Sequence, residues 1–157
     1  MIDIYRALSA DASYVYSLSN GTVPRFKVAR LLLADPGFQV LSLYRIMHVF
    51  RDYWFGKKVN KLLRLISVHV FSCDISSDAS IGCPVYLPHP IGIVVGKGVI
   101  IGEETIIYQN VTIGLRSPTS QGYPIIGPKT VIGAGACVVG PVKTNTGQLI
   151  EANSVVA

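Results

Sequence analysis

With 157 residues, half of them hydrophobic and only 15% charged, the chain can build one domain with a real core, and its apolar excess implies buried subunit contacts or a membrane-facing patch. Fourteen Lys and Arg against nine Asp and Glu leave a mild basic excess that suits phosphate-bearing small molecules; lacking a basic run, an arginine-rich arm or an aromatic ladder, it excludes nucleic acid as a partner. Cys73, Cys83 and Cys137 are odd in number and have no C-x-x-C spacing, which argues against a disulfide framework or a zinc site.

In chain order, the first twenty residues are rich in Tyr and Ser and show no assignable period. From about residue 27 apolar side chains fall at helical spacings, as at Leu41, Tyr44 and His48 and again at Leu62, Leu65 and Ile66. "DPG" at 35–37 and Gly56 before Lys57 and Lys58 break the pattern, so two to three short helices are expected. Residues 1–71 are thus expected to form a mostly helical N-terminal segment packed over the end of the following domain and against neighbouring subunits. Peripheral membrane docking of these apolar, basic helices is the alternative. His48 and His69 read as packing or surface residues. No basic leader with a small-residue cleavage site and no uncharged run of spanning length is seen, so a cytoplasmic location is expected.

Near residue 72 the rule changes. Aliphatic residues recur every six positions at Ile75, Ile81 and Leu87, slip by two, and resume at Val95, Ile101, Ile107 and Ile113. A second run holds the step through Ile126, Ile132, Val138, Ile150 and Val156, with Thr144 as a departure. Small or β-branched residues follow four places later, including Ala79, Val99, Val111, Thr130 and Ala136. A period of six rotates off any helical face, whereas a short strand plus a tight turn explains it. Each hexad would be one wall of a coil, its aliphatic side chain inward and Gly or Asn at the corner, which makes residues 72–157 a parallel β-helix. A β-sandwich would alternate with period two.

The segments "DISSDASIG", "PHPIGIVVG", "YQNVTIG" and "VIGAGACVVG" resemble the C-terminal domain of the serine acetyltransferases and their shorter polysaccharide-modifying relatives, within the hexapeptide-repeat acyltransferases. The resemblance runs from about residue 38 to 157. It implies a mainly β fold, a left-handed parallel β-helix with three hexads per coil and a short α-helical N-terminal segment. It also implies a homotrimer with active sites between subunits, and acetyl-CoA as co-substrate with no metal.

Moving an acetyl group from a thioester to an alcohol requires a base, because a hydroxyl attacks well only as its proton departs. Histidine titrates close to neutrality and suits that task. His89 sits where the six-residue phase slips, so its coil must bulge and re-aim the side chain, with Pro88 and Pro90 stiffening the bulge. By the resemblance, Asp74 matches the aspartate that orients the histidine, so a His89–Asp74 dyad is expected.

Residues 115–124, "LRSPTSQGYP", interrupt the repeat and are expected to be an extruded loop. In the serine enzymes this loop ends in an Arg-His pair, and an aspartate precedes the catalytic histidine; here those positions hold Gly122, Tyr123 and Pro88. A zwitterion would lose its clamps, so Pro88 and Tyr123 are expected to line a pocket for a neutral hydroxyl, with Tyr123 free to stack on a sugar ring. Gly114, Ala134, Gly135 and Ala152 are the expected acetyl-CoA contacts, small residues that let pantetheine lie flat; Ala134 and Ala152 are one coil apart if a coil holds three hexads. Lys129 and Lys143 are candidate phosphate partners on charge alone. The chain stops at "NSVVA", mid-repeat, where family members usually continue, so part of the cofactor site and the solenoid's C-terminal cap are expected to be missing or unusual here. The reading that results is an acetyl-CoA-dependent O-acetyltransferase acting on a sugar or surface-polysaccharide precursor. Serine O-acetylation and a non-catalytic hexapeptide scaffold are the alternatives.

Overall fold

The computed structural model describes residues 3–19 and 22–157; residues 1, 2, 20 and 21, part of the expected N-terminal segment, lie outside the described residues. Four helices precede the strands: α1 (Ile4–Leu18), α2 (Lys27–Ala34), α3 (Pro36–Phe50) and α4 (Gly56–Phe71). None is long and apolar enough to cross a membrane. The "DPG" break is the start of α3, where the Asp35 carboxylate accepts from the Phe38 N–H at 2.7 Å and Pro36 occupies the first turn. The Tyr- and Ser-rich opening, unassigned from sequence, is α1, capped by Asp3. Its core face holds Ala7, Asp11 and Ala12, and a buried carboxylate in that position hides the apolar stripe from a periodicity count.

From Asp74 onward twelve short strands stack into three walls of parallel pairs. The first wall holds β1 (Asp74–Ile75), β4 (Val94–Val95), β7 (Thr112–Gly114), β10 (Cys137–Val139) and β12 (Val155–Val156). The second holds β2 (Ser80–Ile81), β5 (Ile100–Ile101) and β8 (Ile125–Ile126). The third holds β3 (Val85–Tyr86), β6 (Thr105–Ile107), β9 (Val131–Ile132) and β11 (Leu149–Ile150). The chain visits the walls in turn, three hexads to a coil. The hexad aliphatics of the three walls form one column: Ile75, Ile81, Leu87, Val95, Ile101, Ile107, Ile113, Ile126, Ile132, Val138 and Ile150 are all buried. Each such side chain contributes roughly 1.5–3 kcal/mol on leaving water. Thr144 departs from the aliphatic rule because its buried hydroxyl accepts from the Gly127 N–H at 2.8 Å; an aliphatic there would strand that donor.

The corner between the third and first walls is a ladder of left-handed residues, Gly92, Asn110, Gly135 and Asn153, with φ of 71°, 57°, 72° and 57°. Gly and Asn tolerate this conformation best. They alternate because each glycine leaves room for the asparagine side chain of the adjoining coil, Asn110 against Gly92 and Asn153 against Gly135.

α3 closes the N-terminal end of the column. The Tyr44 hydroxyl donates to the Ala79 carbonyl at 2.9 Å and accepts from the Ile81 N–H at 3.0 Å. Arg45 donates to the Ile81 and Gly82 carbonyls at 2.7 and 2.6 Å and pairs with Asp11 of α1. Gly37 lets the start of α3 rest on the Leu87 carbonyl, which a Cβ would overlap. We expect Gly37→Ala to destabilise the fold by about 1–3 kcal/mol, the usual range for overpacking, read as a lower midpoint in urea. Because Leu87 leads directly into Pro88 and His89, turnover of the folded fraction should fall as well.

Candidate active site

The register locates the bulge. Asp74 pairs with Val94, twenty residues on, whereas Val94 pairs with Thr112, eighteen on. Tyr86 also pairs twenty residues ahead, with Ile106, so the two extra residues fall between Tyr86 and Val94. Leu87 and Pro90 are buried on either side of the insertion and anchor it; Pro88 is half-buried and His89 is exposed. The imidazole is therefore held out from the corner between the third and first walls by two fixed neighbours.

Asp74 stands on the outward side of β1, half-buried, with both carboxylate oxygens bound at 2.7 Å by Nε and Nη2 of Arg64 from α4. The expected His89–Asp74 hydrogen bond is not formed within the chain. A fork of two charge-assisted bonds outcompetes a single imidazole N–H, and the rung of Asp74 lies opposite Val94, five residues past the histidine. The same pair raises the Arg64 pKa, through the hydrogen bonds first and the charge of Asp74 second.

The expected cofactor residues fall into two groups. Ala134 and Ala152 are one coil apart, and the Asn153 N–H donates to the Ala134 carbonyl at 2.8 Å. With Gly135 they lie along the same edge as His89, two and three coils further on, and form a file of small residues leading away from the imidazole. Gly114 is at the far end of the first wall, stacked on Gly96, where a Cβ on Gly96 would sit 3.5 Å from the Gly114 Cα. Gln109 lies on the His89 edge in the intervening coil, and its buried Oε1 has no hydrogen-bond partner. Sequence reading passed over it, since a single Gln within "YQNVTIG" carries no spacing signal.

The interval 115–124 leaves the solenoid: Gly114 pairs with Val139, twenty-five residues on, and the loop is held together by hydrogen bonds among Ser117, Thr119 and Ser120. Within the chain Tyr123 does not lie beside Pro88. Its ring packs on Gly98, where a Cβ would lie 2.6–2.9 Å from three ring carbons, at the corner between the first and second walls. The phenol covers a backbone that has no side chain of its own, a burial that offsets exposure in the loop. Gly122 has φ of 92° and abuts Pro141, so an arginine there would be strained. Lys129 and Lys143 are also away from the small-residue file: Lys129 is at the corner between the second and third walls, 3.8 Å from Glu104, and Lys143 bridges Ile125 beside the second wall.

A cleft of about 840 Å³ lies between α4 and the first wall. Asp74, Ser76, Ser77, Asp78 and Lys97 line one side, and Lys57, Lys61, Arg64, Leu65 and Val68 the other. These helix positions recur at i, i+4, i+7, i+8 and i+11, one face of α4. Sequence reading missed this set because its two sides come from separate elements.

Burial pushes the Cys73 and Cys83 thiols up to about 12, helped by the charges of Asp74 and Asp11 respectively, which keeps both as inert thiols near neutral pH. His48 is lowered, mainly by burial; its Nδ1 lies 3.0 Å from the Ser77 carbonyl, so it packs α3 to the first coil. His69 is exposed on α4 and bonds the Leu65 carbonyl.

Parallel hexads, three to a coil, define a hexapeptide-repeat solenoid. No protein-family model matches the chain. It is 34% identical to the serine acetyltransferase of Buchnera aphidicola subsp. Schizaphis graminum, over 98% of this chain and 64% of the relative. It is 32% identical to the serine acetyltransferase of Helicobacter pylori (strain ATCC 700392 / 26695), over 80% of this chain and 74% of the relative. Among solved structures, a serine acetyltransferase in complex with CoA aligns with a TM-score of 0.85 at 28% identity, covering 98% of this chain and 62% of that one. The Neisseria gonorrhoeae serine acetyltransferase in complex with serine aligns with a TM-score of 0.85 at 28% identity, covering 100% of this chain and 63% of that one. The chain belongs to the serine acetyltransferase family, and its solenoid is the left-handed β-helix of that family. It spans 62% to 74% of the length of these relatives.

Proposed function

We propose that the protein is an acetyl-CoA-dependent O-acetyltransferase whose acceptor is L-serine. What supports the acceptor is the likeness to a serine acetyltransferase over 98% of the chain and to a serine acetyltransferase structure in complex with serine that covers all of it. In this reading His89 takes the proton of the acceptor hydroxyl as the oxygen attacks the thioester carbonyl, then returns it to the departing thiolate. The file Gly135, Ala134 and Ala152 gives the co-substrate's pantetheine arm a flat edge leading to the imidazole. The exposed corner and the separation of Gly114 and Tyr123 from His89 within one chain favour an oligomer with sites between neighbouring copies. Exposed apolar side chains, Ile91, Val155 and Val70 among them, supply surface for such contacts. A cytoplasmic location accompanies this reading.

A second reading, transfer to a neutral sugar hydroxyl, draws on the loop: Pro88, Gly122 and Tyr123 supply no charge where the family places an aspartate and an Arg-His pair. None of the similar proteins named above is a sugar-modifying enzyme. The deciding experiment follows thiol release from acetyl-CoA by the purified protein with L-serine, with neutral sugars and with nucleotide-sugars. Release with serine and none with the sugars is expected; the reverse pattern would overturn the serine reading.

A further inference from the structure

A single column of positions runs along the His89 edge of the solenoid. The Asn110 N–H donates to the Ile91 carbonyl at 2.9 Å, the Gly135 N–H to the Gln109 carbonyl at 2.9 Å and the Asn153 N–H to the Ala134 carbonyl at 2.8 Å. Ile91, Gln109, Ala134 and Ala152 therefore stack rung on rung, about 4.8 Å apart. His89 lies two positions before Ile91. Gln109 is thus the rung between the bulge and the two alanines, and it carries the column's one polar side chain.

The Gln109 amide is divided between two surroundings. Its Oε1 is buried without a hydrogen-bond partner, whereas its Nε2 is reached by solvent and has no partner among the described residues. Turning the amide over would bury two donors in place of one acceptor. A buried acceptor left unpaired costs stability, and a methionine at this rung would carry no such cost. The backbone N–H groups of Gly92, Asn110, Gly135 and Asn153 at the same corner are already bonded to carbonyls. The donor that this corner leaves open is the Gln109 amide.

We propose that Gln109 is a catalytic residue whose Nε2 donates to the carbonyl oxygen of the co-substrate's thioester. The inference rests on the acetyl-transfer reading and holds for any acceptor alcohol. A pantetheine arm lying along Ala152 and Ala134 toward the imidazole brings its thioester to the Gln109 rung. As the acceptor oxygen bonds to the carbonyl carbon, its proton passes to His89 and the carbonyl electron pair moves onto oxygen. Collapse of that oxyanion restores the C=O, breaks the C–S bond and returns the proton to the thiolate. A donor fixed in place before the reaction strengthens as charge grows on the oxygen, so it lowers the barrier more than it tightens ground-state binding.

The test assays Gln109→Met and Gln109→Glu by thiol release from acetyl-CoA, with whichever of L-serine and the sugar panel the wild type accepts. CoA binding is titrated calorimetrically and melting temperatures are measured in parallel. Gln109→Met should lower kcat by about 10²–10³-fold, the usual worth of one oxyanion donor, with both KM values and CoA affinity unchanged. Its melting temperature should equal or exceed that of the wild type, because no unpaired acceptor remains buried. Gln109→Glu presents a donor only while its carboxyl is protonated, so its kcat relative to wild type should fall as pH rises. Near-normal kcat in a folded Gln109→Met would overturn the inference, as would Gln109→Glu matching the wild type at alkaline pH, which decides the matter if the methionine variant fails to fold. A loss confined to KM, or one that follows a lowered melting temperature in both variants, would overturn it too. A wild type that releases no thiol with any acceptor would instead fail the acetyl-transfer reading itself.

Discussion

His89→Ala should lower kcat by about 10²–10⁴-fold, the usual worth of a positioned general base, while leaving the melting temperature unchanged. The side chain is exposed and outside the aliphatic column, and the bulge that carries it is anchored by Leu87 and Pro90 instead. Removing the imidazole therefore costs no buried contact. The variant should bind CoA as the wild type does, because the small-residue file along the same edge is untouched. Near-normal turnover would show that another group accepts the proton, and Asp74 would become the next candidate. The companion variant Asp74→Asn separates two roles for the carboxylate: a loss in kcat would mean that Asp74 leaves Arg64 to serve His89 during turnover, and a loss in stability alone would mean that its function is to hold α4 on β1.

Asp11→Ala should be the most destabilising single change in the helical segment. The Asp11–Arg45 pair is 0% and 4% exposed, and Asp11 also accepts from the Val85 N–H at 3.0 Å. Removing the carboxylate strands a buried guanidinium and a buried amide at a cost of about 3–5 kcal/mol, which for a chain of this size lowers the melting temperature by about 10 °C or more. Asp11→Asn keeps an acceptor for Val85 and should lose less. Replacing both partners with apolar residues, Asp11→Leu with Arg45→Met, should recover much of the loss, since neither charge then remains buried alone. A melting temperature within a few degrees of wild type for Asp11→Ala would show that α1 contributes little to the seating of α3 on the first coil.

These two variants fall on opposite sides of what a reader of the chain could foresee. His89 was legible because the hexad count slips there, and a slip in a solenoid has to appear as an insertion at a corner. The pairing of Gly114 with Val139 shows the same for the loop at 115–124. Asp11 was not legible, because one acidic residue in a Tyr- and Ser-rich stretch looks solvated until α3 brings Arg45 onto it. The Arg64 fork on Asp74 was not legible for a related reason: fifteen residues upstream of a histidine suggests a dyad by resemblance, whereas an arginine ten residues upstream of the aspartate, which reaches it with two bonds, carries no spacing signal. Tyr123 read as a stacking platform because its loop looked free, whereas the bare backbone of Gly98 draws the ring inward.

The solenoid, the depth of its column, the position of its bulge and the small-residue edge are all written in the chain, because each depends on contacts that repeat from coil to coil and so leave a period. Which charges meet is settled by folding alone. Asp11 with Arg45, Asp74 with Arg64, and the cations of α4 with Lys97 are single encounters between elements that the repeat does not relate, and electrostatic pairing over a few ångströms leaves no period to read.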